Sequence, residues 1–215
     1  MKTELRELVK ETLQQLQHEA ILRDKIVKLS REVLSLSRSV IVSVHSKSYE
    51  ECEEIIAKLK ALVNEFIRES KQREKLYYSG LVRDTLAEYV EAIQFYSLVK
   101  HGSYIGREEM NTPASSYVLG LLDVVGELRR FLLDSLKDGN LKEAERMLNY
   151  MEEIYSTICL LNIPDAILPG YRRKCDIARQ LIERSKSELV YVKAAMNVTA
   201  SLIKLTRGSN EHENT

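Results

Sequence analysis

The stretch LAEYVEAIQF, residues 86–95, keeps two glutamates, Glu88 and Glu91, among apolar and aromatic neighbours. On a helix, steps of three and four residues return to one face. Leu81, Asp84, Glu88, Glu91, Phe95 and Leu98 therefore share a stripe that is acidic in the middle and apolar at both ends. Further on, YVLGLLDVVGELRRFLLD does the same: Gly120, Asp123, Glu127 and Arg130 align, flanked by Leu119, Leu122, Val124, Val125, Leu128 and Phe131. Gly120 and Gly126 are poor helix residues, costing about 1 kcal/mol each against Ala. They suit places where a second backbone or a ligand must come close.

If the two helices pack side by side, about 8–10 Å between axes, Glu88, Glu91, Asp123 and Glu127 meet in one small volume. Carboxylates crowded in that way repel each other and lose hydration, so something must neutralise them. One solution is a hard divalent cation, Mg²⁺ or Mn²⁺, which prefers oxygen ligands. It would activate water and polarise a phosphodiester. The other is a salt-bridge network with Arg83, Arg129 and Arg130. The residue types alone leave both open. No Glu-x-x-His motif of a di-iron bundle is present. There is no Ser/His/Asp or Cys/His nucleophile pattern and no Gly-rich phosphate loop.

The elements that carry these acids read as helices. Apolar residues recur at i, i+3, i+4, i+7 nearly throughout, and hairpin signals are missing. No Gly or Pro precedes Gly80, and the only prolines are Pro113, Pro164 and Pro169. The pattern predicts a first helix or helix pair over 2–46, then a second opened by a capping box, Ser48-x-x-Glu51. A third follows over about 72–101, with Gly80 inside it or at a break. Thr112 as cap and Pro113 at the first helical position open the next, to about Lys137. Asn140 caps another that ends before Pro164, and a last helix covers about 171–207. The chain reads as a single all-α domain over residues 1–207, six or seven helices in a bundle, with a frayed tail over 208–215.

At 215 residues, with 44% apolar and 30% charged residues, the chain can bury a real core. Its 32 basic residues cancel its 32 acidic ones, so it is no polycation, and any nucleic-acid surface must come from local clustering. The charged N-terminus reads as no signal peptide, and no apolar run approaches the ~20 residues that span a bilayer. Cys52, Cys159 and Cys175 are odd in number and scattered, with no zinc or disulfide spacing. A reducing, cytoplasmic location is expected.

LAEYVEA together with YVLGLLDVVGELRR resembles the translin/Trax family, more its Trax branch. VKLSREVLSLSRSVIVSVHS resembles the family's long first-helix signature, and LPGYRRKCDIARQLIERSKSELV its C-terminal helix. The likeness covers most of residues 20–195, and the order and spacing of these degenerate helical motifs carry its specificity. It implies a seven-helix bundle that assembles into a closed, hollow, roughly octameric shell holding RNA or single-stranded nucleic acid. Trax-type subunits supply a Mg²⁺-dependent endoribonuclease site from acids on the inner wall. The glutamate pair of that site matches Glu88 and Glu91, the aspartate of GLLDVVGE matches Asp123, and Glu127 is the neighbouring acid. Translin subunits proper lack the glutamate pair, which this chain keeps. One chain would then both build the shell and cut, as in a homo-oligomeric, prokaryotic or archaeal type of member. The balanced net charge departs from what an RNA container suggests.

RNA next to acids requires cations nearby. Lys28, Arg31, Ser35 and Arg38 fall on one stripe of the first helix, continuing to His45, with Arg23 and Lys25 close by. Arg172, Arg173 and Lys174 open the last helix. The competing reading is that these side chains are solvated or paired with Asp24, Glu32 or Asp176. Tyr77, Tyr78, Tyr89, Tyr96 and Tyr104 either stack on bases or belong to core and interfaces. Two rival functions stand beside the nuclease: a non-cutting shell that binds single-stranded DNA or RNA, and a helical scaffold with no nucleic-acid role.

Overall fold

The computed structural model describes residues 2–212, and every regular element among them is a helix, as the periodicity predicts. These are α1 (Lys2–His45), α2 (Tyr49–Ser70), α3 (Glu74–Tyr77), α4 (Gly80–Lys100), α5 (Arg107–Met110), α6 (Ala114–Lys137), α7 (Leu141–Ile158) and α8 (Tyr171–His212). The segment expected as tail is thus helical as far as His212, and 213–215 lie outside the described residues. By internal packing the chain falls into two compact units, Met1–Val124 and Val125–Thr215, with the boundary inside α6.

In the first unit, α1 buries Leu22, Ile26, Leu29, Val33, Val40 and Val44, steps of three, four and seven that mark one helical face. That face meets Ile56, Leu59, Val63 and Phe66 of α2, and α4 supplies Leu86, Val90, Ile93 and Phe95. Each fully buried side chain of this kind contributes roughly 1.5–3 kcal/mol. A buried Ser30–Thr85 hydroxyl pair, 2.7 Å apart, ties α1 to α4 one turn before Glu88. Lys25 Nζ lies 2.9 Å from Glu69 Oε2, tying α1 to α2. This bond, ahead of the charges of Lys25 and Arg68, holds the Glu69 carboxyl below the usual carboxylate range. The bond therefore stabilises the fold fully above the unfolded carboxylate's pKa of about 4.3, and that contribution fades as pH falls through the lower folded value. Lys25→Met should lower the thermal midpoint at neutral pH, with the gap to the wild type closing in acid; midpoints across a pH series read this directly.

α4 and α6 run parallel, so the chain between them must return along α4. Gly102, with φ +71° and its N–H on the Ser97 carbonyl, makes the reversal. Ser97 Oγ then donates to Ser103 O, and Gln94, wholly buried, clamps Ile105 from both sides. Its Nε2 donates to Ile105 O at 2.5 Å and its Oε1 accepts from Ile105 N at 3.1 Å. Tyr117 Oη donates to the same carbonyl at 2.9 Å. Truncating Gln94 to Ala strands these groups and opens a cavity, so about 2–4 kcal/mol should be lost in urea unfolding.

Helix starts depart from expectation in detail. Ser48 stands at the N-cap of α2, but its side chain makes no cap bond, so the Ser48–Glu51 box is not formed. Thr112 Oγ1 is buried without a hydrogen bond, and α6 starts at Ala114, its first bond running from Tyr117 N to Pro113 O. Pro113 therefore precedes the helix rather than opening it. The break at Gly80 falls at the first residue of α4, where Ser79 Oγ accepts from Val82 N. Asn140 caps α7 as expected, accepting from Glu143 N at 3.2 Å.

The second unit pairs α7 with α8 in antiparallel fashion, since Glu152 meets Lys186 and Glu145 meets Lys193. Met147, Met151 and Ile154 of α7 are buried together with Ala178, Ile182 and Leu189 of α8. Arg129 forks onto Glu188 at 2.8 and 2.9 Å and onto Ser185 Oγ at 2.7 Å, fastening the end of α6 to α8.

Candidate functional site

The acids sit where α4 and α6 touch. A Cβ built on Gly120 would stand 2.5 Å from the Ala87 carbonyl oxygen and 2.6 Å from Val90 Cβ. Four residues earlier on each helix, Ser116 Oγ donates to Arg83 O at 3.0 Å. These two contacts set one parallel register, which at 1.5 Å rise per residue brings Asp123 alongside Val90 and Glu91. Gly120 is thus the close-approach glycine expected from the sequence. Gly126 is not, for a Cβ there would meet nothing within 4 Å.

Glu88, Glu91 and Asp123 are half-buried, between the wholly buried Leu86, Val90 and Val124. The stripe on α4 runs from solvent at Leu81 and Asp84, through the two half-buried glutamates, to Phe95 and Leu98 in the core. Glu127 is half-buried one turn beyond Asp123 on α6, in the stretch assigned to the second unit.

Two of the arginines offered as neutralising partners, Arg83 and Arg129, hold carboxylates outside the four acids. Arg83 holds Asp84 at 2.8 Å, Arg129 holds Glu188, and Arg130 reaches Glu127 at 3.9 Å. The Arg130–Glu127 contact is one of the pairs that the salt-bridge alternative calls for.

The donor set, all carboxylate oxygen, suits a hard cation. Its gathering is looser than a closed cage: among the described residues, no three His, Cys, Asp or Glu side chains are grouped to hold a metal ion. Mg²⁺ commonly keeps its waters and uses one or two carboxylates plus a substrate phosphate. The residues present fit that mode and not an all-protein cage.

The cationic stripe of α1 lies along a groove. Arg31, Ser35, Arg38 and Ser39 of α1 face Glu51 and Ile55 of α2 across a hollow of about 460 Å³. Lys28, Arg31 and Arg38 are exposed and form no ion pair among the described residues. The Ser39 and Ser43 walls were not singled out from sequence, because their relevance depends on where α2 lies. His45, expected to continue the stripe, is half-buried and packs on Phe95 with ring centres 5.0 Å apart. Of the neighbours, Lys25 is tied to Glu69, and Arg23 lines a separate hollow with Arg73 and Lys75.

Arg172, Arg173 and Lys174 open α8 in the second unit. Arg172 and Arg173 are exposed, Arg172 reaching Asn162 Oδ1 at 3.5 Å, and Lys174 is half-buried. The tyrosines separate by burial. Tyr89 and Tyr96 are core, with the Tyr89 phenol pushed up to about 12 by burial and then by Glu109. Tyr78 is 71% exposed and Tyr104 38%, which leaves both able to stack.

A long first helix, an acid-bearing parallel pair and the segment returning between them define a translin-like helical bundle. The chain belongs to the Translin family, whose profile matches residues 21–192. An uncharacterized protein of Methanocaldococcus jannaschii is 31% identical over 173 residues, covering 78% of this chain and 75% of its own. The translin-associated protein X homologue of Schizosaccharomyces pombe is 21% identical over 184 residues, 79% of this chain and 80% of its own. For the mouse translin-associated protein X the figures are 23% over 172 residues, and the match spans 59% of that protein. Among solved structures, AfC3PO in complex with duplex RNA superposes with a TM-score of 0.79 at 33% identity, covering 87% of this chain and 97% of that one. AfC3PO in a second crystal structure gives 0.81 at 32%. Among the described residues no helix is long and apolar enough to cross a membrane.

Proposed function

We propose that this chain is an RNA-binding subunit of a closed homo-octameric shell in the cytoplasm, and a Mg²⁺- or Mn²⁺-dependent endoribonuclease. The observation that carries the reading is the Gly120 register, which sets Asp123 of α6 beside Glu91 of α4 on faces that are otherwise apolar. Glu88, Glu91 and Asp123, with Glu127 as a further donor, would hold the cation. When bound, it supplies charge neutralisation at the phosphate and an attacking water of lowered pKa. The half-buried setting of the acids limits bulk water, and Lys28, Arg31 and Arg38 hold the RNA backbone, with Arg172, Arg173 and Lys174 as a second phosphate contact. The duplex RNA bound by AfC3PO supports the substrate class; single-stranded DNA is a further ligand of the same chemistry. Assembly is supported by exposed apolar residues on two helices: Leu5, Leu8, Leu13, Leu16 and Ile21 of α1, and Val190, Tyr191, Met196 and Val198 of α8.

A labelled RNA incubated with the protein, with Mg²⁺ or a chelator, across a salt series tests this. Cleavage only with metal is the expected result. Tight, salt-sensitive binding without product would make the chain a non-cutting container, a reading favoured by the loose grouping of the acids. No binding at low salt would overturn both. Arg31→Gln and Arg38→Gln should each weaken binding evenly across RNA sequences and lower the slope of log affinity against log salt by roughly 1.

A further inference from the structure

We propose that Cys159 and Cys175 form a redox modification site, which oxidation closes into an intramolecular disulfide stapling the end of α7 to the first turns of α8. The two lie far apart for a sequence motif, and only the fold brings them together. Cys159 is the C-cap of α7, its N–H on the Tyr155 carbonyl at 2.8 Å. The hydroxyl of Tyr171, a residue only 2% exposed, is shared between Ile158 O at 2.6 Å and Leu161 O at 2.9 Å. That bond lays the first turn of α8 against the last turn of α7. Cys175 stands one turn past Tyr171 and so faces the same side. Cys159 and Cys175 are close enough for each to act on the other electrostatically, and Cys175 acts on Tyr171 in the same way.

Both thiols are half-buried, whereas Cys52 is wholly buried with its S–H on the Val40 carbonyl at 3.8 Å. A small oxidant therefore has access to the pair and not to Cys52. With a low-molecular-weight disulfide as oxidant, one cysteine thiolate attacks a reagent sulfur and expels one reagent thiolate. The other cysteine then attacks the mixed disulfide and expels the second. The protein loses two protons and two electrons, and the reagent leaves as two thiols. Burial, and then the neighbouring Cys175, push the Cys159 thiol far up. The thiolate fraction, and with it the rate of closure, therefore grows as pH rises.

The 215-residue chain is treated with oxidised glutathione at neutral and at alkaline pH. Remaining thiols are blocked with iodoacetamide in denaturant, and the products are mapped by mass spectrometry. The expected result is a Cys159–Cys175 linked peptide lacking two hydrogens, alkylated Cys52, faster closure at higher pH and full reversal by a reductant. Cys159→Ser should instead trap glutathione on Cys175. The oxidised wild type should also melt higher than the reduced protein, a shift absent in Cys159→Ser, because closing the loop restrains the unfolded chain. Persistent glutathione adducts on the wild type, disulfides between chains, or three alkylated cysteines at every pH would each overturn the proposal.

Discussion

Replacing Glu91 by Gln should cut metal-dependent RNA cleavage by on the order of 10²–10³-fold, the scale seen when one group stabilising transition-state charge is removed. RNA affinity and assembly should be unchanged, because the cations of the α1 groove are untouched. The amide keeps the volume of the acid and removes one negative charge from the Glu88–Glu91–Asp123 neighbourhood. A second readout separates ligation from a merely structural role. A cation that binds only the folded chain raises its midpoint in proportion to RT ln(1 + [L]/Kd). Mg²⁺ should therefore stabilise the wild type and not Glu91→Gln. Asp84→Asn is the matched control: Asp84 lies on the same stripe, is exposed and pairs with Arg83. Undiminished cutting by Glu91→Gln, or an equal loss in Asp84→Asn, would sink the site assignment.

The second large effect concerns two glycines six residues apart on α6, for which opposite outcomes are expected. An added methyl at Gly120 meets the Ala87 carbonyl oxygen at 2.5 Å, and a backbone atom inside a packed helix cannot yield cheaply. Overpacking of that kind costs about 1–3 kcal/mol, more than the roughly 1 kcal/mol of helix propensity that Ala gains over Gly. Gly120→Ala should therefore lose up to about 2 kcal/mol net in urea unfolding. By forcing α6 off α4 it should also move Asp123 away from Glu91 and lower cleavage. Gly126→Ala meets nothing within 4 Å, so it keeps the propensity term and should gain about 0.5–1 kcal/mol. Equal stability changes in the two variants would refute the close-crossing account of this helix pair.

The two glycines also mark the boundary of what could be read without coordinates. Both broke a helical pattern, and both were equally good candidates for a close contact. Which one made it depended on the register of α4 against α6, marked by the Gly120–Ala87 and Ser116–Arg83 contacts. Ser48 and Thr112 show the same limit at helix starts. Their residue types predicted caps, yet neither side chain makes the bond, while Ser79 and Asn140 do. The tyrosines divided by burial rather than by spacing, and His45 left its stripe to pack on Phe95.

From the amino-acid order alone came the helical class, the rough places of the long helices, the acid stripe on α4 and the cation stripe on α1. These are properties of single helices, where neighbours three and four residues apart decide which face is apolar. The tertiary structure alone decided which acids become neighbours, which arginines are occupied by other partners, and that Cys159 meets Cys175. Those pairings join residues from different helices, and packing offsets that no local period encodes determine them.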